Sequence, residues 1–233
     1  SDLIIAWTDI MRKELIQLND IDEKRIEVGG VALYDYYYKK NNDLFTKDEL
    51  FNHLKIDKSK DLIFFATKSP NCYVSNNYIT KILLKAILKN KFKKEYHILV
   101  RMHPIFYRKN NGKLVFSNYI QEFDKMKKED KNLTINTPQM SMNSLNYSMP
   151  NDEIKLLASI LKHSSLMINI FSSLNIEASI FDIPIVNIAF EGKIPKSINK
   201  ARLDINHDLN ESHNKRIIES KGIAMVYKEN QLI

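Results

Sequence analysis

The chain has 233 residues, of which 44% are apolar and 27% charged, and its formal net charge is +7. That is room for one large or two small domains of ordinary soluble character, and no apolar run reaches the ~20 residues a bilayer crossing needs. A single cysteine, Cys72, excludes a disulfide within the chain and argues against a cysteine-built zinc site, as suits a reducing cytoplasm.

The opening "SDLIIAWTDIMRKEL" has an acid at its second position and no basic leader, so no signal peptide is expected. Because the first residue is Ser rather than Met, the piece is expected to be cut from a longer protein. Lysines recur in stretches such as "KNKFKKEYH" and "KMKKEDK", interleaved with acids and Asn as on solvated surfaces. No RNA-reading aromatic motif and no helix-turn-helix signature accompanies them, so the charge carries little weight as a sign of nucleic-acid binding.

In chain order, short runs rich in Ile, Val and Phe alternate with segments of helical spacing. Strands are expected at 3–7, 25–29, 61–67, 97–102, 132–136, 166–171, 184–189 and 223–227. Helices are expected at 8–18, 46–54, 76–90, 119–129, 150–164, 173–181 and 213–221. Thr46 and Glu49 have capping-box spacing, Asp152 and Glu153 sit where a helix begins, and Gly222 stands where a helix would end. Segments 104–118 and 136–150 read as loops. Tyr34, Tyr36, Tyr37 and Tyr38 read as part of a linker packed on the sheet. Strands buried on both faces and alternating with helices imply an α/β fold: a Rossmann-like, doubly wound parallel sheet with helices on both faces. The expected division is a linker with the first β and α elements over 1–45, then a nucleotide-binding domain over 46–233.

In such sheets ligands sit beyond the carboxyl ends of the strands, which selects a short list. After 166–171 come Ser172 and Ser173 at a helix start, where a phosphate would meet unpaired N–H groups; Glu177 follows one turn on, able to hold a polyol. A plain helix cap by one serine is the competing reading. After 97–102 comes His103, with Arg101 two residues earlier, a pairing that suits a general base or a phosphate contact. Thr67 and Lys68 open a short loop after 61–67 that fits a second phosphate contact or a simple turn. Gly29 and Gly30 permit a close approach, with a tight turn as the favoured reading. The cluster His207, Asp208, Glu211 and His213 reads as a surface helix start rather than a metal site, and no metal is expected. There is no G-x-S-x-G, no Walker A loop and no H-E-x-x-H.

The ordered set "WTDIMRKEL", "RIEVGGVALYD", "FATK", "VRMHP" and "SSLNIEASIFDIPIVN" resembles the C-terminal, nucleotide-binding half of GT-B glycosyltransferases. The nearest families are the CDP-glycerol glycerophosphotransferase type, capsule transferases with an H-P motif, and non-hydrolysing UDP-GlcNAc 2-epimerases. The resemblance runs from about Trp7 to Val226. It implies a bacterial enzyme of surface-polysaccharide synthesis, such as a capsule, at the cytoplasmic side of the membrane and at most peripheral to it. It implies a nucleotide-activated sugar or polyol donor, a glycan acceptor, no cofactor, and a missing N-terminal domain. On this resemblance Ser172 and Ser173, with Thr67, Lys68 and Arg101, contact the donor phosphates. Glu177 and Asn175 contact the ribose or sugar, and His103 faces the leaving group. Asp182 stands where many members carry Gly, and the absence of Gly-Gly after the serines counts against the epimerases. The rival expectations are a non-catalytic nucleotide or glycan module, an epimerase, and an RNA-binding protein resting on charge alone.

Overall fold

The computed structural model describes residues 2–39, 43–143, 146–192 and 205–233. They form two compact units, 1–44 and 45–233.

In the smaller unit, β1 (Ile4–Ala6), α1 (Asp9–Asn19) and β2 (Ile26–Val28) make one parallel crossover, with Ile4 opposite Ile26 and Ala6 opposite Val28. Thr8 caps α1 by accepting the Met11 N–H at 3.2 Å. Gly29 follows β2 and donates its N–H to Ala6. A Cβ on Gly29 would lie 2.7 Å from the Ile5 side chain, and Gly30 has φ +73°, so this pair is a close-packed tight turn. The tyrosine run is not a linker. It is a helix, α2 (Ala32–Lys39), in which Tyr37 is buried and stacks on Tyr34 with ring centroids 6.2 Å apart.

The larger unit opens on α3 (Lys47–Leu54) and β3 (Asp61–Ala66), then α4 (Asn76–Leu88) and β4 (Tyr96–Arg101). The expected capping box is formed: Thr46 accepts the Glu49 N–H while Glu49 accepts the Thr46 N–H at 2.8 Å. The polar stretch after β4 is more ordered than a loop. It holds a 3-10 turn over Pro104–Tyr107 and a hairpin of β5 (Lys109–Asn110) and β6 (Lys113–Leu114). Next come α5 (Ser117–Glu129) and β7 (Leu133–Asn136). Of the loop expected over 136–150, residues 144–145 lie outside the described residues. The flanking residues pair as a second hairpin, β8 (Ser141–Asn143) with β9 (Asn146–Ser148). The chain continues through α6 (Asn151–His163), β10 (Leu166–Asn169), α7 (Leu174–Ile180) and β11 (Ile185–Ile188). It ends with α8 (Ile205–Asn210), α9 (Ser212–Glu219) and β12 (Ala224–Val226). Helix α8 lies where the cluster from His207 read as a surface helix start, though no separate helix was expected there, and the left-handed residue that ends α9 is Lys221 (φ +56°), not Gly222. Asp182 takes the left-handed conformation too (φ +52°), the geometry a glycine would otherwise supply.

The sheet order is β12-β11-β10-β3-β4-β7, and every pairing is parallel. Five of the six residues of β3, and of β4, are fully buried because helices cover both faces. One face packs Ile63, Phe65, Ile98 and Val100 against α4 and α5; the other packs Leu62, Phe64 and Leu99 against α3 and α6. The fold is Rossmann-like α/β. The chain leaves β3 outward to β4 and β7, then returns to β10 on the other side of β3 and runs outward to β11 and β12. Helix α4 after β3 and helix α7 after β10 therefore lie on opposite faces, which makes β3 and β10 the switch point of the sheet.

His97 sits inside β4, only 3% exposed, with Nε2 2.9 Å from Thr134 Oγ1. Burial pushes its pKa down to about 4. The unfolded chain protonates this ring near pH 6.5 and the folded one only near 4. The stability is therefore complete above pH 6.5 and falls by at most about 3 kcal/mol as pH drops through that window. His97→Gln, which keeps a polar tip for Thr134, is expected to flatten this acid slope in urea unfolding at pH 7 and pH 5; an unchanged slope would place the acid sensitivity elsewhere.

Candidate functional site

The switch point gathers the turn after β3, beginning at Thr67, and the turn after β10, beginning at Ile170. The turn after β4, with His103, lies beside the first. Thr67 ties two of these together. Its N–H and hydroxyl both donate to the Arg101 carbonyl at 3.1 Å, and its Oγ1 accepts the His103 N–H at 2.8 Å. The hydroxyl is thus spent on backbone, and Thr67 is a positioning residue here rather than an exposed donor.

His103 is half-buried. Its Nδ1 accepts the Ile105 N–H at 3.2 Å, which assigns the ring proton to Nε2. Burial lowers its pKa below the usual histidine value. A neutral imidazole of this tautomer presents an Nε2–H donor and has no basic nitrogen to spare. It suits a hydrogen bond to a phosphoryl oxygen better than proton abstraction.

Neither expected cation stands uncompensated. The Lys68 ammonium pairs with the Asp208 carboxylate of α8, both groups about 15% exposed. The Lys68 backbone is clamped by Asn76, which accepts its N–H and donates to its carbonyl, each at 3.0 Å. Arg101 shares the buried face with Leu99. Its guanidinium lies 2.7 Å from Glu153 at the start of α6 and donates to Asn136 at the end of β7. The pair is 7% and 5% exposed, so Arg101 ties strand ends to a helix start instead of facing solvent with His103.

The turn after β10 depends on a residue that the sequence did not single out. Phe171 has φ +43°, an unusual conformation for a bulky side chain, and donates its N–H to Asn187 of β11 at 2.8 Å. Ser172 Oγ accepts the Leu174 N–H at 3.2 Å, a local turn bond one residue ahead of the cap position, which Ser173 holds. Ser173 is exposed, and its hydroxyl makes no cap bond. Asn175 and Glu177 are both buried, and Asn175 accepts a hydrogen bond from Asn169 at 2.6 Å. Gly29 and Gly30 belong to the smaller unit. His207 and Glu211 form an i, i+4 contact of 3.3 Å, and among the described residues no group of three or more His, Cys, Asp or Glu is arranged to hold a metal.

A concavity the sequence gave no sign of lies at the carboxyl ends of β11 and β12. Its volume is about 380 Å³, and it is lined by Tyr78, Tyr227, Glu191, Lys228 and Glu229 among others. Aromatic faces beside carboxylates suit a hydroxyl-rich ligand. The pairs Lys68–Asp208, Arg101–Glu153 and Phe171–Asn187 join distant segments, and only the alternation of β4, which turns Arg101 toward the Leu99 face, hinted at any of them.

No protein-family profile and no curated sequence matches the chain. Solved structures do. UDP-GlcNAc 2-epimerase from Neisseria meningitidis bound to UDP-GlcNAc is matched over 99% of this chain and 51% of that one, at 13% identity and TM-score 0.61. The Methanocaldococcus jannaschii UDP-GlcNAc 2-epimerase in complex with UDP-GlcNAc and UDP is matched over 100% and 52%, at 16% identity and TM-score 0.59. A variant of the wall teichoic acid polymerase TagF is matched over 81% and 39%, at 20% identity and TM-score 0.50. At these identities the likeness defines the fold, which is of the GT-B-like type expected. The chain spans about half the length of the epimerases and less of the polymerase.

Breaking a buried ion pair by removing one partner costs about 3–5 kcal/mol, whereas replacing both with apolar groups is often neutral. Arg101→Met is therefore expected to lower stability by that amount in urea unfolding, and Arg101→Met with Glu153→Leu to recover most of it. Unchanged stability in the single variant would return Arg101 to the list of ligand contacts.

Proposed function

We propose that this chain is the donor-binding part of an enzyme that transfers a sugar or polyol phosphate from a nucleotide-activated donor in surface-polysaccharide synthesis. The observation that carries the reading is the switch point itself. It sets the half-buried His103 Nε2–H, the Ser172–Ser173 turn and the loop after β3 at adjoining strand ends of a sheet whose structural neighbours include UDP-GlcNAc-bound enzymes.

In this reading His103 donates to a donor phosphate oxygen and stabilises the charge that develops as the leaving nucleotide departs. Ser173 and the backbone N–H groups beside it hold the same diphosphate, and Glu177 with Asn175 lies toward the ribose. Lys68 and Arg101 act from behind, through Asp208 and Glu153, by fixing the turns. The acceptor glycan and the catalytic base come from a further domain, and no cofactor takes part. Among the described residues no helix is long and apolar enough to cross a membrane, and the proposed location is the inner face of the membrane.

A second reading is a sugar-nucleotide epimerase. The full-length match of this chain to two such enzymes, at the higher TM-scores, favours it. Product formed from UDP-GlcNAc by the intact protein with no acceptor present would decide for it.

Calorimetric titration with CMP, CDP, UDP and GDP tests the common core of both readings. One diphosphate is expected to bind selectively. His103→Ala is expected to weaken it by roughly tenfold, the worth of one good hydrogen bond, and Ser172→Ala with Ser173→Ala by a similar factor. His103 meets Thr67 through its backbone, so the truncation leaves that contact in place. A folded wild-type chain that binds none of the four would remove the donor-site reading.

A further inference from the structure

The end of the larger unit opposite His103 carries a surface that the donor site does not use. In a parallel sheet all strands start at one end, so the segments leading into β3, β4, β7, β10, β11 and β12 share a rim. Those segments, 55–60, 89–95, 130–132, 164–165, 181–184 and 220–223, hold nine lysines, four acids and no arginine, with Lys58 and Lys94 paired to Asp48 and Asp61. Lys89, Lys91 and Lys93 are exposed, as are Lys94 and Lys131.

Apolar groups stand among these charges. A crevice of about 300 Å³ opens between Lys60, Lys94 and Lys131, and Leu88, Phe92 and Tyr96 also line it. Leu88 is 70% exposed, beside the half-buried Phe92 and Tyr96. Phe92 is packed edge-on to Tyr96 with ring centroids 5.3 Å apart, and both lean on the core.

We infer that this rim docks on an anionic lipid bilayer, with the lysines over headgroup phosphates and Leu88 beside Phe92 at the headgroup–acyl boundary. Lysine is a point charge suited to a diffuse anionic surface, whereas arginine forks serve defined phosphate recognition. The aromatic pair is closed on itself and offers no free platform for stacking bases, so the surface fits a bilayer better than single-stranded nucleic acid. Docked this way, the carboxyl end of the sheet faces away from the lipid and stays open to substrates. The inference sharpens the proposed membrane location, and its test uses no nucleotide, so the two fail separately.

The test is co-sedimentation of the 233-residue chain with phosphatidylcholine vesicles, with and without about a third phosphatidylglycerol, at low and high salt. Binding is expected only to the anionic vesicles and to fade with salt. Each lysine near such a surface multiplies partitioning by roughly fivefold, so Lys89→Glu/Lys91→Glu/Lys93→Glu should lower it by roughly 100-fold or more. Leu88→Ser should lower it severalfold at unchanged charge. Arg108→Glu/Lys109→Glu/Lys113→Glu, at the hairpin by the other end of the sheet, changes the net charge equally and should leave binding within about twofold. Circular dichroism checks that each variant is folded. Equal losses in the two triple variants would reduce the effect to net charge and overturn the inference. So would wild-type binding that ignores vesicle charge, or retention on an RNA homopolymer with none on vesicles.

Discussion

The pairing of β3 with β4 is the constraint on which the rest of the larger unit depends. Six residues run in register, from Asp61 opposite Tyr96 to Ala66 opposite Arg101. Both strands are buried on both faces, so every backbone group along them must be paired inside the sheet. The ladder then fixes where both strands stop. It leaves Thr67 beside the Arg101 carbonyl and the His103 N–H, and Thr67 closes both. The position and tautomer of His103 follow from that closure and from the 3-10 turn beginning at Pro104.

Beyond the ladder, the carboxyl ends of the strands are finished by side chains from the next element. Arg101 reaches Glu153 and Asn136, Asn187 holds Phe171, Asn169 meets Asn175, and Lys68 meets Asp208. The charged members are matched in pairs. The parts of the proposed donor site left to meet the phosphates are therefore neutral donors: an imidazole N–H, serine hydroxyls and backbone N–H groups. Neutral donors fixed in advance stabilise a developing anion without first having to release a counter-charge. That pattern is compatible with both transferase and epimerase chemistry, since each departs from a nucleotide-bound phosphate.

Much of the framework was legible in the sequence. The strands "DLIFFA" and "HILVR" are continuous apolar runs because both faces are covered, and the box at Thr46 announced α3. Elements that escaped notice lack those signals. Helix α2 is a run of tyrosines with no capping residue read from the sequence, and the two hairpins are only two or three residues per strand. Gly222 misled because α9 places its left-handed turn on Lys221. For the proposed site, the strand-end rule selected His103 and Ser172–Ser173, which the fold sets at adjoining strand ends. What it could not supply was the partners of Lys68 and Arg101, which are set by tertiary packing: Asp208 lies 140 residues from Lys68. The switch point itself needed the strand order, which only the fold provides.

The central claim is that His103 is a neutral Nε2–H donor that meets the donor's phosphates. A long-range proton–nitrogen NMR spectrum of the histidine rings, recorded at pH 7 with and without the preferred nucleoside diphosphate, tests it most directly. The account predicts that His103 shows the Nε2–H tautomer in the free chain and that its Nε2 resonance moves as the nucleotide binds. An Nδ1–H ring, or a His103 signal indifferent to a nucleotide that demonstrably binds, would contradict it.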